Sequence, residues 1–185
     1  MKKVSRIDGP LTSRATLKHV RSLLASLNDG VVKIDIGGGA NPQPDCINMD
    51  VRPLPGVDVV HDWNVLPWPF PDCCATLLIA GHVVEHVNPA NFGFIKWMDE
   101  CWRILKYDGQ LMLTTPFAGS TAYWSDPTHV NGCTNRTWEW FDPLCPSKLY
   151  FQYQPSPWRV QNCFWSTDGN IEVLLVKRRE DPSYK

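Results

Sequence analysis

Short apolar segments that end at an aspartate or a glycine recur along the chain, and they constrain its fold more than any other feature. The segment VVKIDIGGGANP begins at Val31 as a β-branched run and leads directly into three glycines. The segment ATLLIAGH, which begins at Ala75, is nearly continuous in apolar residues, as is typical of a parallel strand that is buried on both faces. The predicted strands lie at 31–36, 46–50, 57–60, 76–81 and 109–115.

Two amphipathic helices are predicted to alternate with these strands. The first follows a cap at Thr12 or Ser13 and ends at Asn28-Asp29-Gly30, and the second ends at Asp108-Gly109. Their apolar stripes consist of Leu17, Val20, Leu24 and Leu27, and of Ile95, Met98, Trp102 and Leu105. A short helix is also predicted around NRTWEWF, at 135–141.

The C-terminal part of the chain has a different pattern. Two strand-like segments flank Asp168-Gly169, a dipeptide that favours a β-hairpin turn. Strands that alternate with helices and are followed by a hairpin predict an α/β fold. Its twisted sheet is mostly parallel and carries an antiparallel C-terminal hairpin.

The length, net charge and cysteine count fit one globular domain. A length of 185 residues suits a single domain spanning 1–185, and a formal net charge of −1 provides no field that attracts nucleic acid. The seven cysteines are odd in number and form no CxxC pair, so they are expected to be unpaired. With neither a signal peptide nor a long apolar run, we expect a cytoplasmic protein that does not enter a membrane.

The predicted strand ends carry polar residues and glycines that should converge on one edge of the sheet. Ligands of such sheets bind beyond the carboxyl ends of the strands. The loop DIGGGANP is not a phosphate-binding P-loop, because no GK[ST] follows, and it lacks the third glycine of GxGxxG. A tight turn without any ligand is the alternative interpretation.

In order, the segments VVKIDIGGGANP, CINMDV, VVHDWNVLPWPFPDCCATLLIAGHVVEHV and RILKYDGQLMLTTP resemble the motifs of class I S-adenosylmethionine-dependent methyltransferases. The resemblance covers about Val31 to Pro116 and implies a Rossmann-like methyltransferase fold with S-adenosylmethionine as cofactor. The predicted single domain then consists of an N-terminal helix region at 1–30, a cofactor-binding core at 31–116, a substrate and aromatic loop region at 117–157, and the hairpin at 158–179.

The resemblance also implies a role for each strand end. One group would line the methionine part of the cofactor, Asp50 would accept hydrogen bonds from the ribose hydroxyls, and Asp62 would accept one from the adenine amino group. Trp63 and Asn64 would lie beside the adenine ring, and Gly81 and His82 would lie near the sulfonium. The residues that would line the methionine part are Asp35, Gly37, Gly38 and Gly39.

One departure from the family pattern concerns the connection after the first strand. Only Gly37 to Asp45 separate the first two predicted strands, which is shorter than the dozen or so residues that a parallel crossover normally takes. The helix after the first strand is therefore expected to be shortened or missing. The N-terminal helix is expected to cover the face that this leaves bare.

The stretch GHVVEH also fits H-x-x-E-H, an inverted zinc-hydrolase motif with Glu85 as the base. A zinc site would need His82 and His86 on one regular helix together with a third ligand. His82 is instead predicted at a strand end, and Asn88-Pro89 interrupts the segment soon after. We therefore expect no metal, and a metallohydrolase is the least favoured of three functional hypotheses.

The loop after the fifth predicted strand is the candidate substrate region. Asp126 and His129 are the predicted catalytic pair, with Asp126 orienting the imidazole that takes a proton from the acceptor. The alternative is that Asp126 caps a turn and His129 bonds to the backbone. The favoured acceptor is a small molecule or a sugar-like hydroxyl compound, and nucleic acid is not expected.

A second hypothesis is a non-catalytic S-adenosylmethionine-binding subunit that acts through a partner. Five of the nine tryptophans lie between Trp124 and Trp165. Exposed aromatic patches often mark interfaces, so this region could bind a partner protein or a second copy of the chain.

Overall fold

The computed structural model describes residues 14–27 and 30–184. The predicted cap at Thr12 or Ser13 and the predicted stop at Asn28-Asp29 lie outside these residues. The fold is built on one seven-stranded sheet of order β3-β2-β1-β4-β5-β7-β6. The strands are β1 (Lys33–Ile36), β2 (Ile47–Asp50), β3 (Val59–Val60), β4 (Ala75–Gly81), β5 (Leu105–Pro116), β6 (Trp158–Trp165) and β7 (Asn170–Lys177).

The sheet is parallel from β3 to β5, and β7 and β6 complete it in antiparallel orientation. This arrangement confirms the α/β class and the mixed sheet predicted from the sequence. The hairpin turns where it was predicted, and Gly169 has a φ of 79°, a left-handed conformation that glycine adopts without steric cost.

The helices are α1 (Arg14–Ala25), α2 (Gly93–Ile104) and α3 (Thr121–Ser125), and short 3-10 turns include Val84–His86 and Asn135–Phe141. The predicted end of the second helix at Asp108-Gly109 was wrong, because α2 ends at Ile104 and β5 begins at the next residue. Asp108 instead has a φ of 64° within β5, where the pairing with β4 shifts register. The aspartate–glycine pair therefore marks an irregular strand rather than a helix end.

No helix lies between β1 and β2, since residues 37–46 form a fully described loop. The shortened connection predicted from the sequence is confirmed. Helix α1 packs nearby: Val20 is fully buried in the core, and His19 Nε2 lies 3.0 Å from the carbonyl oxygen of Asp58. The N-terminal helix thus contacts the segment between β2 and β3.

None of the helices within residues 14–27 and 30–184 is long and apolar enough to span a membrane. All seven cysteines have free thiols.

A buried carboxylate ties α2 to the segment before β4. Glu100 is 6% exposed, and its Oε1 accepts from the backbone N–H of Trp68 at 2.6 Å. Arg103 Nη2 donates to the same oxygen at 2.6 Å, and Arg103 Nε donates to Oε2 at 2.9 Å. Because Trp68 is itself buried, its N–H has no access to water that could replace the carboxylate.

We expect Glu100→Ala to lower the free energy of unfolding by about 3 kcal/mol, because it leaves a buried N–H without its acceptor and removes the buried carboxylate that pairs with Arg103. Asp72→Ala is the matched control. It removes the other carboxylate that contacts Arg103, but its side chain is 77% exposed, so the loss should stay below about 1 kcal/mol. Denaturant unfolding of both variants checks this, and equal losses would contradict the role given to Glu100.

Candidate functional site

The candidate site lies at the carboxyl ends of β1 and β4. Strand β1 pairs in parallel with β2 on one side and with β4 on the other. The chain therefore runs outward in both directions from β1 and β4, which makes a topological switch point. In open α/β sheets such a point forms the crevice in which ligands bind.

The glycine loop after β1 is packed too tightly for side chains. Gly37 has a φ of 75°, and a Cβ built on it would lie 2.5 Å from Cγ2 of Val83. A Cβ on Gly38 would lie 2.5 Å from Oδ2 of Asp35 and 2.6 Å from Oδ1 of Asn48. A side chain at either position would force a neighbouring side chain to move, and the left-handed backbone of Gly37 adds strain, so glycines keep the backbone free of side chains at the end of the strand.

Asp35 is buried beneath this loop. It is 4% exposed, and its Oδ2 accepts a hydrogen bond from the backbone N–H of Gln43 at 2.7 Å. Burial raises the pKa of Asp35, while the bond from Gln43 opposes that rise and the charge of Asp50 adds to it. The hydrogen bond between Asp35 and Gln43 thus stabilises the conformation of the glycine loop.

Asp50, at the end of β2, is 1% exposed and already has several partners. Its Oδ2 accepts from the N–H of Gly39 at 3.0 Å. Its Oδ1 accepts from the backbone N–H of Arg52 at 2.8 Å and from Arg52 Nε at 3.3 Å. The Arg52 side chain is 64% exposed, so a hydroxyl ligand could displace this long contact without unburying the guanidinium.

The residues after β3 form a compact turn. Asp62 Oδ1 accepts from the N–H of Asn64 at 2.9 Å, and Asn64 Oδ1 accepts from the N–H of Asn88 at 2.8 Å. Trp63 and Asn64 line a cavity of about 250 Å³ together with Trp97 of α2. The Nε1 of Trp63 is buried without a hydrogen-bond partner among the described residues.

The end of β4 has open space beside Gly81, at the carboxyl edge of the sheet. No described heavy atom beyond the chain neighbours lies within 4 Å of the position a Cβ would take on Gly81. His82 follows with a φ of 57°, a conformation that is uncommon outside glycine and that often marks functional sites. Its side chain is 54% exposed, and its Nδ1 lies 3.2 Å from Oε1 of the fully buried Glu85. The hydrogen bond to Glu85 raises the pKa of His82, because the carboxylate stabilises the imidazolium.

Asp126 and His129 have a geometry that differs from the predicted catalytic pair. His129 is only 8% exposed, and its Nδ1 lies 2.7 Å from the backbone carbonyl of Tyr123, which orients the ring. Asp126 Oδ2 lies 3.8 Å from the other ring nitrogen, and Oδ1 accepts from the N–H and hydroxyl of Thr128. In this structure the hydrogen-bond partner of Asp126 is Thr128, and the hydrogen-bond partner of the imidazole is the backbone carbonyl of Tyr123.

Sequence reasoning missed one cluster of possible metal-ligating side chains beside the carboxyl end of β4. The H-x-x-E-H spacing pointed to His82 and His86, whereas the structure brings together Glu85, His86 and His129, whose ligand-type atoms lie within 4.8 Å of one another. The first two lie in the turn after β4, and His129 comes from the loop after β5. The motif itself was the available signal, but it could not identify a third residue so distant in the sequence.

No protein-family profile matches the chain, and no curated protein matches its sequence significantly. Solved structures do match its fold. A SAM-dependent methyltransferase from Archaeoglobus fulgidus matches with a TM-score of 0.54 at 14% identity, over 88% of this chain and 93% of that chain. A complex between the Haloferax volcanii Trm112 methyltransferase activator and a candidate methyltransferase matches with a TM-score of 0.57 at 12% identity, over 88% and 90%.

The [4+2]-cyclase SpnF also matches, with a TM-score of 0.54 at 12% identity, over 87% of this chain and 81% of that chain. Identities this low establish the architecture and leave the reaction open, since one fold supports several chemistries. This chain has the fold of the S-adenosylmethionine-dependent methyltransferases.

Proposed function

We propose that the protein is an S-adenosylmethionine-dependent methyltransferase. The observation that carries the proposal is the convergence of the glycine loop, Asp50 and Gly81 at one switch point. A backbone without side chains, a carboxylate at the end of β2 and an open strand end at β4 suit a nucleoside with a short charged tail. The fold shared with the Archaeoglobus fulgidus methyltransferase supports the same conclusion.

The strand ends have roles that follow the order of the cofactor's parts. The loop formed by Asp35, Gly37, Gly38 and Gly39 holds the methionine part, and Asp50 holds the ribose. Asp62, with Trp63 and Asn64 beside it, binds the adenine. Gly81 and His82 lie nearest the sulfur. The fit is supported by the absence of room for side chains at Gly37 and Gly38 and by the open space at Gly81.

The cofactor, when bound, supplies a methyl group on a sulfonium that is already a good leaving group. The chain's own residues therefore mainly align the acceptor with that methyl, and orientation accounts for much of the rate. If the acceptor is a hydroxyl, a side chain also has to take its proton. His82 suits this task better than His129, because its side chain is 54% exposed whereas that of His129 is 8% exposed.

His82 is also held in place for such a role. With Nδ1 bonded to Glu85, its Nε2 is the ring nitrogen left for an acceptor. Glu85 is fixed in turn, since its backbone carbonyl accepts from the N–H groups of Val130 and Asn131 at 2.7 and 3.2 Å. This places a histidine, oriented by a buried carboxylate, at the strand end beside the proposed methyl donor.

The acceptor is a small molecule, with a sugar-like hydroxyl compound favoured. The formal net charge of −1 supports this over nucleic acid, which needs a basic surface. The exposed Trp124, in the loop region after β5, is available to contact such an acceptor; it is 76% exposed.

A second candidate is a non-catalytic subunit, and an aromatic surface favours it. Phe92 and Tyr153 are 64% and 55% exposed, and their rings lie 6.1 Å apart. Trp140 adds a third ring, 5.2 Å from Tyr153. Such a surface suits a partner protein or a second copy of this chain. The fold match to a complex that contains a methyltransferase activator supports the partner.

Incubating the purified protein with S-adenosylmethionine and a panel of hydroxyl acceptors tests the two candidates. We expect S-adenosylhomocysteine to form only when a suitable acceptor is present, and mass spectrometry measures it. If the protein binds the cofactor but turns over no acceptor, and turnover appears once a partner from the native extract is added, the result would instead support the non-catalytic subunit. No binding at all would contradict both.

A further inference from the structure

We propose that Glu85, His86 and His129 form a binding site for a divalent first-row transition metal of the zinc type. The ligand-type atoms of the three residues lie within 4.8 Å of one another, and the two imidazole centroids are 4.7 Å apart. The site joins the turn after β4 to the loop after β5. The inference does not depend on the proposed methyl transfer.

The hydrogen bonds around His86 fix which of its nitrogens carries a lone pair. Thr128 has a single hydroxyl proton, and it donates this proton to Oδ1 of Asp126 at 2.6 Å. Towards His86 the same hydroxyl oxygen can only accept, and Nδ1 lies 3.1 Å from it. Nδ1 of His86 therefore carries the proton, and in the neutral ring Nε2 presents its lone pair.

His129 is fixed in the same way by a different partner. Its Nδ1 lies 2.7 Å from the backbone carbonyl of Tyr123, and a carbonyl oxygen can only accept. The proton is therefore on Nδ1, and Nε2 of the neutral ring is free to coordinate. A histidine that donates its other nitrogen to a carbonyl is the usual arrangement around metal ligands, because it fixes both the tautomer and the ring orientation.

Glu85 supplies a carboxylate in which one oxygen has no hydrogen-bond partner among the described residues. Its side chain is fully buried. Oε1 contacts Nδ1 of His82, but Oε2 is buried without a hydrogen-bond partner among the residues that the structure describes. Leaving a buried carboxylate oxygen unpaired is costly, and native structures rarely do so without an ion, water or other compensation.

The three residues thus combine two imidazole lone pairs and one carboxylate, and a cation among them would satisfy all three. Two histidines and a glutamate match the ligand set of open zinc sites, in which a fourth position is left for water or substrate. A second carboxylate is close, since Asp126 Oδ2 lies 3.8 Å from Nε2 of His129. Together with Glu85 it would balance the charge of a divalent ion.

The competing explanation is that one imidazole takes up a second proton and pairs with Glu85. That arrangement needs no metal, so direct metal binding separates the two. The protein is prepared without a polyhistidine tag, stripped with a chelator, and titrated with Zn²⁺ against a chromophoric competitor. Co²⁺ is used as a second probe, because its visible absorption reports coordination by nitrogen and oxygen.

We expect one equivalent of Zn²⁺ to bind to the wild-type protein. His129→Ala and Glu85→Gln should each weaken binding by about 100-fold or more, since even loss of an outer-shell partner typically weakens metal binding 10- to 100-fold. His19→Gln is the matched control, because it removes a histidine of α1 whose partner is the backbone carbonyl of Asp58. The affinity of this variant for Zn²⁺ should equal that of the wild type.

Circular dichroism and thermal melting confirm that each variant is folded. Glu85→Gln keeps the size of the side chain, so it preserves the test if His129→Ala fails to fold. A wild-type protein that binds no stoichiometric Zn²⁺ or Co²⁺ would overturn the proposal. Equal affinities for the wild type and folded Glu85→Gln would overturn it too.

Discussion

We expect His82→Asn to lower turnover of a hydroxyl acceptor by about 10² to 10⁴, which is the usual contribution of a general base. The acceptor's proton has to be removed, and the side chain of His82 is the exposed imidazole beside Gly81. Asparagine suits the test because it tolerates the left-handed backbone at this position, where φ is 57°. The substitution should therefore remove the base without straining the turn.

The affinity of His82→Asn for S-adenosylmethionine should change little, because the proposed ribose and adenine contacts lie at the ends of β2 and β3. His19→Gln serves as the control for loss of a histidine remote from the rim. Rates are measured at saturating acceptor and cofactor and divided by the folded fraction. A His82→Asn protein as active as the wild type would remove His82 from the proton transfer and leave positioning alone to explain the chemistry.

The sheet could be predicted largely from the sequence, because its signals are local. The strands at 33–36, 47–50 and 75–81 are short segments that end at, or directly before, a glycine or an aspartate, and the hairpin is marked by Asp168-Gly169. The missing helix after β1 was equally visible, since the connection has too few residues for a crossover helix.

The boundary between α2 and β5 could not be read in the same way. Asp108-Gly109 has the composition of a helix stop, yet Leu105 already pairs with Ala75 of β4. The pairing between strands decides where the helix ends, and it depends on residues that are far apart in sequence. Local preference is overridden by such tertiary contacts.

In the candidate site too, the features that depend on local sequence were predicted, and those that depend on contacts between distant segments were not. The strand-end residues were predicted because parallel strands bring their carboxyl ends to one edge. The cluster of Glu85, His86 and His129 was missed, because it depends on how the loop after β5 folds back on the turn after β4. Asp126 was expected to orient His129, but the carbonyl of Tyr123 does so at 2.7 Å. Every residue has a backbone carbonyl, so the residue types alone cannot predict which carbonyl orients a side chain.

The cofactor site makes the other large prediction, for Asp50→Ala. If the carboxylate accepts hydrogen bonds from the ribose hydroxyls, its loss should weaken S-adenosylhomocysteine binding about ten- to a hundredfold, or roughly 1.5–3 kcal/mol. Arg52→Ala is the matched control. It removes the side chain that contacts Asp50 Oδ1 at 3.3 Å but leaves the carboxylate in place, so binding should be no weaker than in the wild type.

Asp50 also accepts from the N–H of Gly39 at 3.0 Å, so Asp50→Ala has to be shown to be folded by thermal melting. Asp50→Asn, which keeps an acceptor oxygen, provides a second variant with a smaller expected loss. Calorimetric titration with S-adenosylhomocysteine is the measurement that tests the central claim most directly. We predict one binding site in the wild-type and Arg52→Ala proteins and a ten- to hundredfold weaker site in Asp50→Ala. An absence of binding to the wild type, or equal affinity in folded Asp50→Ala, would contradict a cofactor site at the carboxyl edge of β1, β2 and β4.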